Sequence, residues 1–182
     1  MGKQEDEYAT LVDRLAREKA NARIPNGKPE HAKALLQSMF RHAQSEVRIF
    51  SLELSEQVYG SEMAAAAASF LGREGTSLKI LLQRHVDAVK HPMLSELEKA
   101  QIIGQLVVRD NADDFWRDAK HFAVMDKSGF RFEFTHDLAN AKCEAIANFN
   151  EPDTAKSLAD AFDGAFSLPQ ARLALTLPSN KT

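Results

Sequence analysis

The sequence predicts a single α/β domain: a mixed, mostly parallel sheet flanked by helices on both faces, preceded by an N-terminal amphipathic helix. Three observations predict it. Helical and strand periodicities alternate through the first part of the 182 residues, as in parallel βαβ units. Three consecutive strands then follow, the first two joined by a tight turn, which makes the sheet mixed. A proline-started segment with one apolar face closes the core. The length suits one domain able to bury its own core. With 44% hydrophobic and 27% charged residues, the composition is that of a soluble globular chain and excludes collagen, coiled coil and wholesale disorder.

Each element has its local reason. Over Glu5 to Asn21, Tyr8, Leu11, Val12 and Leu15 fall at helical spacing on one face. The stretch from Arg23 to Pro29 holds two prolines and an Asn-Gly pair, so it reads as a break that leaves the first helix an arm. The expected division is therefore a helix and linker over residues 1–28, the α/β domain over 29–167, and a tail over 168–182. Pro29 opens a helix to about Gln44, with Ala32, Leu35, Leu36, Met39 and Phe40 on one side. Glu46 to Leu52 alternates as a strand. Ser55 is placed to cap a helix through the alanines Ala64 to Ala68 and Phe70, ended by Gly72 to Gly75. Leu78 to Leu82 is apolar enough for a central strand. Pro92 to Ala100 is a short helix, and Gln105 to Arg109, His121 to Met125, Phe130 to Thr135 and Glu144 to Asn150 are strands. Pro152 opens the last helix, with Asp153 in its first turn. The tail alternates weakly at Leu173, Leu175 and Leu177, as an edge strand or a docking segment would.

Charge and cysteine content narrow the function classes. A net charge of −3 gives no overall field for nucleic acid, leaving only a local patch for such contacts. A single cysteine, Cys143, forms no internal disulfide and reads as structural. The first residues lack the apolar core of a leader, and no apolar run is long enough for a bilayer, so a cytoplasmic location without membrane contact is expected.

Chemistry is sparse. None of the six histidines (His31, His42, His85, His91, His121, His136) has a partner at metal-ligand spacing, so no metal and no cofactor is expected. No glycine-rich phosphate loop follows a strand. His31-Ala32-Lys33 lies in a helix, where residues two apart diverge and cannot share one phosphate.

The informative stretch is Lys120-His121-Phe122-Ala123-Val124-Met125-Asp126-Lys127-Ser128-Gly129-Phe130-Arg131-Phe132-Glu133. A histidine opens an apolar strand, an aspartate ends it, and a second strand returns. Together with the strand and proline-started helix from Glu144 onward, this resembles the second half of a phospholipase D-type domain, over about Pro29 to Phe166. In that family a histidine attacks phosphorus, the lysine two residues along the same strand face binds the phosphate oxygens, and an aspartate follows after four more residues. The resemblance implies that two such motifs build one site, so a half-domain pairs with a second chain.

The motif is degenerate here. With His121 as nucleophile, Ala123 stands at the lysine and Ser128 at the aspartate. With Asp126 at the aspartate, which keeps strand and turn in register, Ala119 stands at the histidine and His121 at the lysine. The family's Gly-Ser-x-Asn positions become Glu133, Phe134 and His136. Asp126 itself either serves a ligand or only makes the turn. Trp116 and Arg117 either line a pocket or interface, or Trp116 sits in the core.

The expected function is a non-catalytic phospholipase D-like binding or assembly module, a subunit of a bacterial-type cytoplasmic complex, pairing with itself or with another protein. Its cleft is expected at the strand ends near His121, Asp126, Glu133, His136, Glu144, Trp116 and Arg117. The alternatives are a homodimeric, metal-independent phosphodiesterase or nuclease using His121, and a small-molecule-sensing regulator.

Overall fold

The computed structural model describes residues 3–110, 119–137 and 142–177. Eight strands form one sheet in the order β1-β7-β6-β5-β2-β3-β4-β8. In chain order the elements are α1 (Lys3–Arg17), β1 (Ile24–Asn26), α2 (Pro29–His42), β2 (Glu46–Ser51), α3 (Ser61–Leu71), β3 (Ser77–Leu82), α4 (Pro92–Lys99), β4 (Gln105–Asp110), β5 (Phe122–Met125), β6 (Gly129–Asp137), β7 (Lys142–Asn148), α5 (Pro152–Phe166) and β8 (Arg172–Leu177).

The mixed α/β architecture with helices on both faces is present, but the sheet is not mostly parallel. Only the β2–β3 and β3–β4 pairings are parallel; the other five are antiparallel. The correction has a plain cause. The two crossovers through α3 and α4 make β2, β3 and β4 parallel, and everything after β4 arrives by hairpins or returns along an edge.

Pleating sorts the side chains onto two faces. On one, Val47, Ile49, Leu78, Ile80, Leu106 and Val108 meet α2, α3 and α4 in the larger core. On the other, Phe50, Leu81, Phe122, Val124 and Phe130 meet Ala155 and Phe162 of α5.

Four local expectations change. The first helix is not an arm: Val12 and Ala16 are buried in the larger core, Tyr8 stacks on His31 with ring centroids 3.9 Å apart, and Asp13 binds Arg41 and His42 of α2. Leu11, placed by spacing on the buried side, is 41% exposed. The supposed linker contains β1, which pairs antiparallel with β7; Pro25 is tolerated because β1 is an edge strand. Finally, Ser55 does not cap α3. Its carbonyl accepts from Val58 N and Tyr59 N, forming a turn that buries Tyr59, and α3 starts six residues later behind Gly60. The tail resolves as edge strand β8, antiparallel to β4. No helix among the described residues is long and apolar enough to cross a membrane.

Where α3 hands over to β3 and β4, two backbones touch. Gly104 N donates to Leu71 O at 2.7 Å. A Cβ at Gly104 would overlap the Thr76 hydroxyl and stand 2.7 Å from the Thr76 carbonyl oxygen, and backbone cannot yield as a flexible side chain would. Gly104→Ala is therefore expected to lower stability by about 1–3 kcal/mol, read from the midpoint of urea denaturation.

Candidate functional site

The strand registers assemble one row of residues across the sheet. Asp110 pairs with Leu82, and Leu82 with Ser51. One step beyond the Phe50–Phe122 pair, Ser51 faces His121. Glu133 N donates to His121 O at 2.9 Å. Glu133 pairs with Ala145, and Ala145 with Asn26. Side chains alternate along each strand, so this row lies on the α2–α4 face, at the carboxyl ends of the parallel strands. Such ends are where α/β sheets place their ligand sites.

The next row inward on that face is Val108, Ile80, Ile49, Ala123, Arg131, Ala147 and Ile24. Arg131 is its one charged member and is buried. A guanidinium there requires partners, because an unpaired buried charge is costly. Its Nη1 and Nη2 donate to Glu133 Oε2 at 3.1 Å, and its Nε donates to Asn26 Oδ1 at 2.9 Å. Glu133, with 7% of its side chain exposed, presents Oε1 to His121 Nδ1 at 3.3 Å; the imidazole is 15% exposed. The sequence hides this chain of contacts in plain form: Phe130-Arg131-Phe132-Glu133-Phe134 alternates charge and phenylalanine, which on a strand places both charges on one face.

Two tyrosines border the network. Tyr59 is fully enclosed, and burial pushes its hydroxyl up to about 12, with Arg131 pulling it down and Glu133 pushing it up. Burial raises Tyr8 to about 12 as well, opposed by Arg131, and its hydroxyl donates to Pro25 O at 3.4 Å.

A second carboxylate–imidazole pair stands at the β4 end of the row. Asp110 Oδ2 accepts from His85 Nδ1 at 2.8 Å and from Val86 N at 3.2 Å. Asp110 is buried, whereas the His85 side chain is 78% exposed. Sequence reading missed Asp110, Ser51, Asn26 and Arg131 as site residues, because their proximity depends on register between distant strands. Among the described residues no group of three His, Cys, Asp or Glu is placed to hold a metal ion.

Of the residues singled out from sequence, the structure brings His121 and Glu133 together and separates others. Asp126 follows β5 at the opposite end of that strand from His121, on the order of 15 Å away at strand rise. Its Oδ2 accepts from Gln44 N at 2.8 Å. Its Oδ1 accepts from Ser45 N at 2.8 Å, Glu46 N at 3.0 Å and Ser45 Oγ at 3.1 Å. At φ 51 it adopts the left-handed turn conformation that aspartate tolerates. Asp126 thus ties the α2–β2 loop to the β5–β6 turn. Glu144 is exposed and alternates with Ala145, so it points from the other face. His136 pairs in register with Cys143, and its side chain lies outside the described residues, as do Trp116 and Arg117 altogether.

A family model described as "Domain of unknown function (DUF7931)" matches residues 28–174, and the chain belongs to that family. No curated protein matches it. Among solved structures it is similar to Nuc from Salmonella typhimurium, a phospholipase D family member, at 15% identity and a TM-score of 0.61, over 84% of this chain and 97% of that one. It is similar to NucT from Helicobacter pylori at 13% identity and a TM-score of 0.57, over 84% and 99%. TrmBL2, an archaeal chromatin protein, aligns at 15% identity and a TM-score of 0.60, over 93% of this chain and 61% of that one. The fold is phospholipase D-like.

Two outcomes follow from this geometry. Arg131→Met and Glu133→Leu should each cost about 3–5 kcal/mol in urea denaturation, and the double variant less than either, because each single change strands a buried charge. The chain has two tyrosines. Their native-state values lie above the unfolded value near 10, so the neutral phenols favour the folded state below that pH, and this contribution is lost as pH rises through about 12. Near-ultraviolet titration should show no phenolate in the native protein at pH 10 and half-titrated phenolate in urea.

Proposed function

We propose that this member of the DUF7931 family is a phospholipase D-like domain that binds or assembles with partners rather than cleaving a phosphodiester. The observation that carries the reading is how the three motif positions are filled when Asp126 is set at the aspartate. Ala119 then stands where the family places its nucleophile, and an alanine methyl cannot attack phosphorus. His121 stands at the lysine, where its Nδ1 faces Glu133 rather than being one end of a free cation. The Asp126 carboxylate is occupied by backbone N–H groups of residues 44–46. A two-motif site formed by a pair of such chains would therefore contain no attacking group, and loss of a nucleophile costs orders of magnitude in rate. The domain then serves as a subunit of a complex, with the polar row at its strand ends as the recognition surface.

One observation favours a second reading. A carboxylate oriented against a histidine, as Glu133 is against His121, is how hydrolases hold an imidazole for catalysis. In that reading His121 is the nucleophile of a shifted motif. The purified chain, incubated with bis(p-nitrophenyl) phosphate and with single-stranded DNA in the presence of chelator, separates the two. The binding reading expects product at the background rate and no difference between the wild type and His121→Ala. Cleavage that disappears in His121→Ala would overturn it in favour of the shifted motif.

A further inference from the structure

The outer face of α1 carries an organisation that neither the fold nor the strand-end row uses. The helix lies outside the residues 28–174 that the family model matches. Its inner face is buried through Val12 and Ala16. Along its outer face, Glu7, Leu11 and Arg14 stand at i, i+4 and i+7, which is one stripe of a helix. All three are exposed, Leu11 by 41%. Asp6, Thr10 and Arg17 run beside them and are exposed as well. Open grooves of about 460 and 400 Å³ flank this ridge, and Thr10 and Arg14 line both. Among the described residues, Asp6, Glu7, Arg14 and Arg17 make no ion pair, whereas Asp13 on the inner side is taken by Arg41 and His42.

Acidic residues at the start of a helix and basic ones at its end complement the helix dipole. That accounts for the sign of the charges but not for a leucine left in water between them. The whole pattern is self-complementary. Turned about a two-fold axis beside Thr10 and Leu11, a second α1 running antiparallel sets its Arg14 against Glu7 and its Glu7 against Arg14, with the two leucines packed between the ion pairs. Isologous contacts require such reciprocity.

We propose that the outer face of α1 docks against the same face of a second copy of this chain, forming a two-fold antiparallel helix pair. A 15-residue helix is about 22 Å long, and a single helix pair falls short of a standard interface area, so the dimer is weak, micromolar, and weakened by salt.

Charge reversal tests it on the full chain by sedimentation velocity at low ionic strength, at concentrations up to the order of 100 μM. The wild type should dimerise and dissociate as salt is added. Glu7→Arg alone and Arg14→Glu alone should each be monomeric, since each brings like charges together twice. An equimolar mixture of the two single variants should dimerise, because each reversed charge then meets its opposite. Glu7→Arg/Arg14→Glu in one chain should dimerise likewise. Both positions are exposed, and unchanged far-ultraviolet circular dichroism checks that the variants are folded. A wild type that stays monomeric throughout, single variants that remain dimeric, or a mixture that does not associate would each overturn the proposal. Pairing of chains at the strand-end row would leave both single variants dimeric, so the same measurement tells it apart from pairing through α1.

Discussion

Arg131 occupies a row whose other members are Val108, Ile80, Ile49, Ala123, Ala147 and Ile24, and a charge in that position must be met by its neighbours. Much of the strand-end architecture follows from this requirement. Glu133, two residues on along the same strand face, takes two of the guanidinium's donors, and Asn26 takes a third. Asn26 can do so only if β1 pairs with β7, so the network helps hold the edge strand in register. Glu133 Oε1 in turn stands 3.3 Å from His121 Nδ1 at the head of β5. Tyr59 is drawn into the same enclosure by the turn at Ser55, which explains why helix α3 begins late.

The two ends of β5 have separate tasks. At one end, His121 belongs to the polar row where parallel strands terminate and where ligands meet an α/β sheet. At the other, Asp126 collects three backbone N–H groups and one hydroxyl, and joins the entry of β2 to the β5–β6 turn. A carboxylate bound this way is a structural tie between two loops. The His85–Asp110 pair at the other side of the row shows that carboxylate–imidazole contacts recur at this sheet end without forming one common cluster.

The alternation of apolar residues made most helices and strands legible, because β2 to β4 and their intervening helices each carry their buried residues within a short stretch of chain. The resemblance to a phospholipase D-type domain followed from that element order, and the structural similarity to Nuc bears out the fold. The errors fell where local signals compete with tertiary ones. Pro25 and the Asn26-Gly27 pair read as punctuation, yet an edge strand accepts a proline, and Arg131 provides a partner for Asn26. Ser55 has the chemistry of a helix cap but closes a turn. Leu11 has the spacing of a core residue but lies on the exposed side of α1.

By itself, the sequence determined the class of fold and the identity of most elements, since each depends on residues close together in the chain. Only the tertiary structure decided which residues share the site. Register between strands that are distant in sequence set His121 opposite Glu133 and Asn26 beside Arg131, and sent Asp126 and Glu144 elsewhere. A shift of one residue in any pairing would have exchanged the faces, and no local pattern encodes that choice.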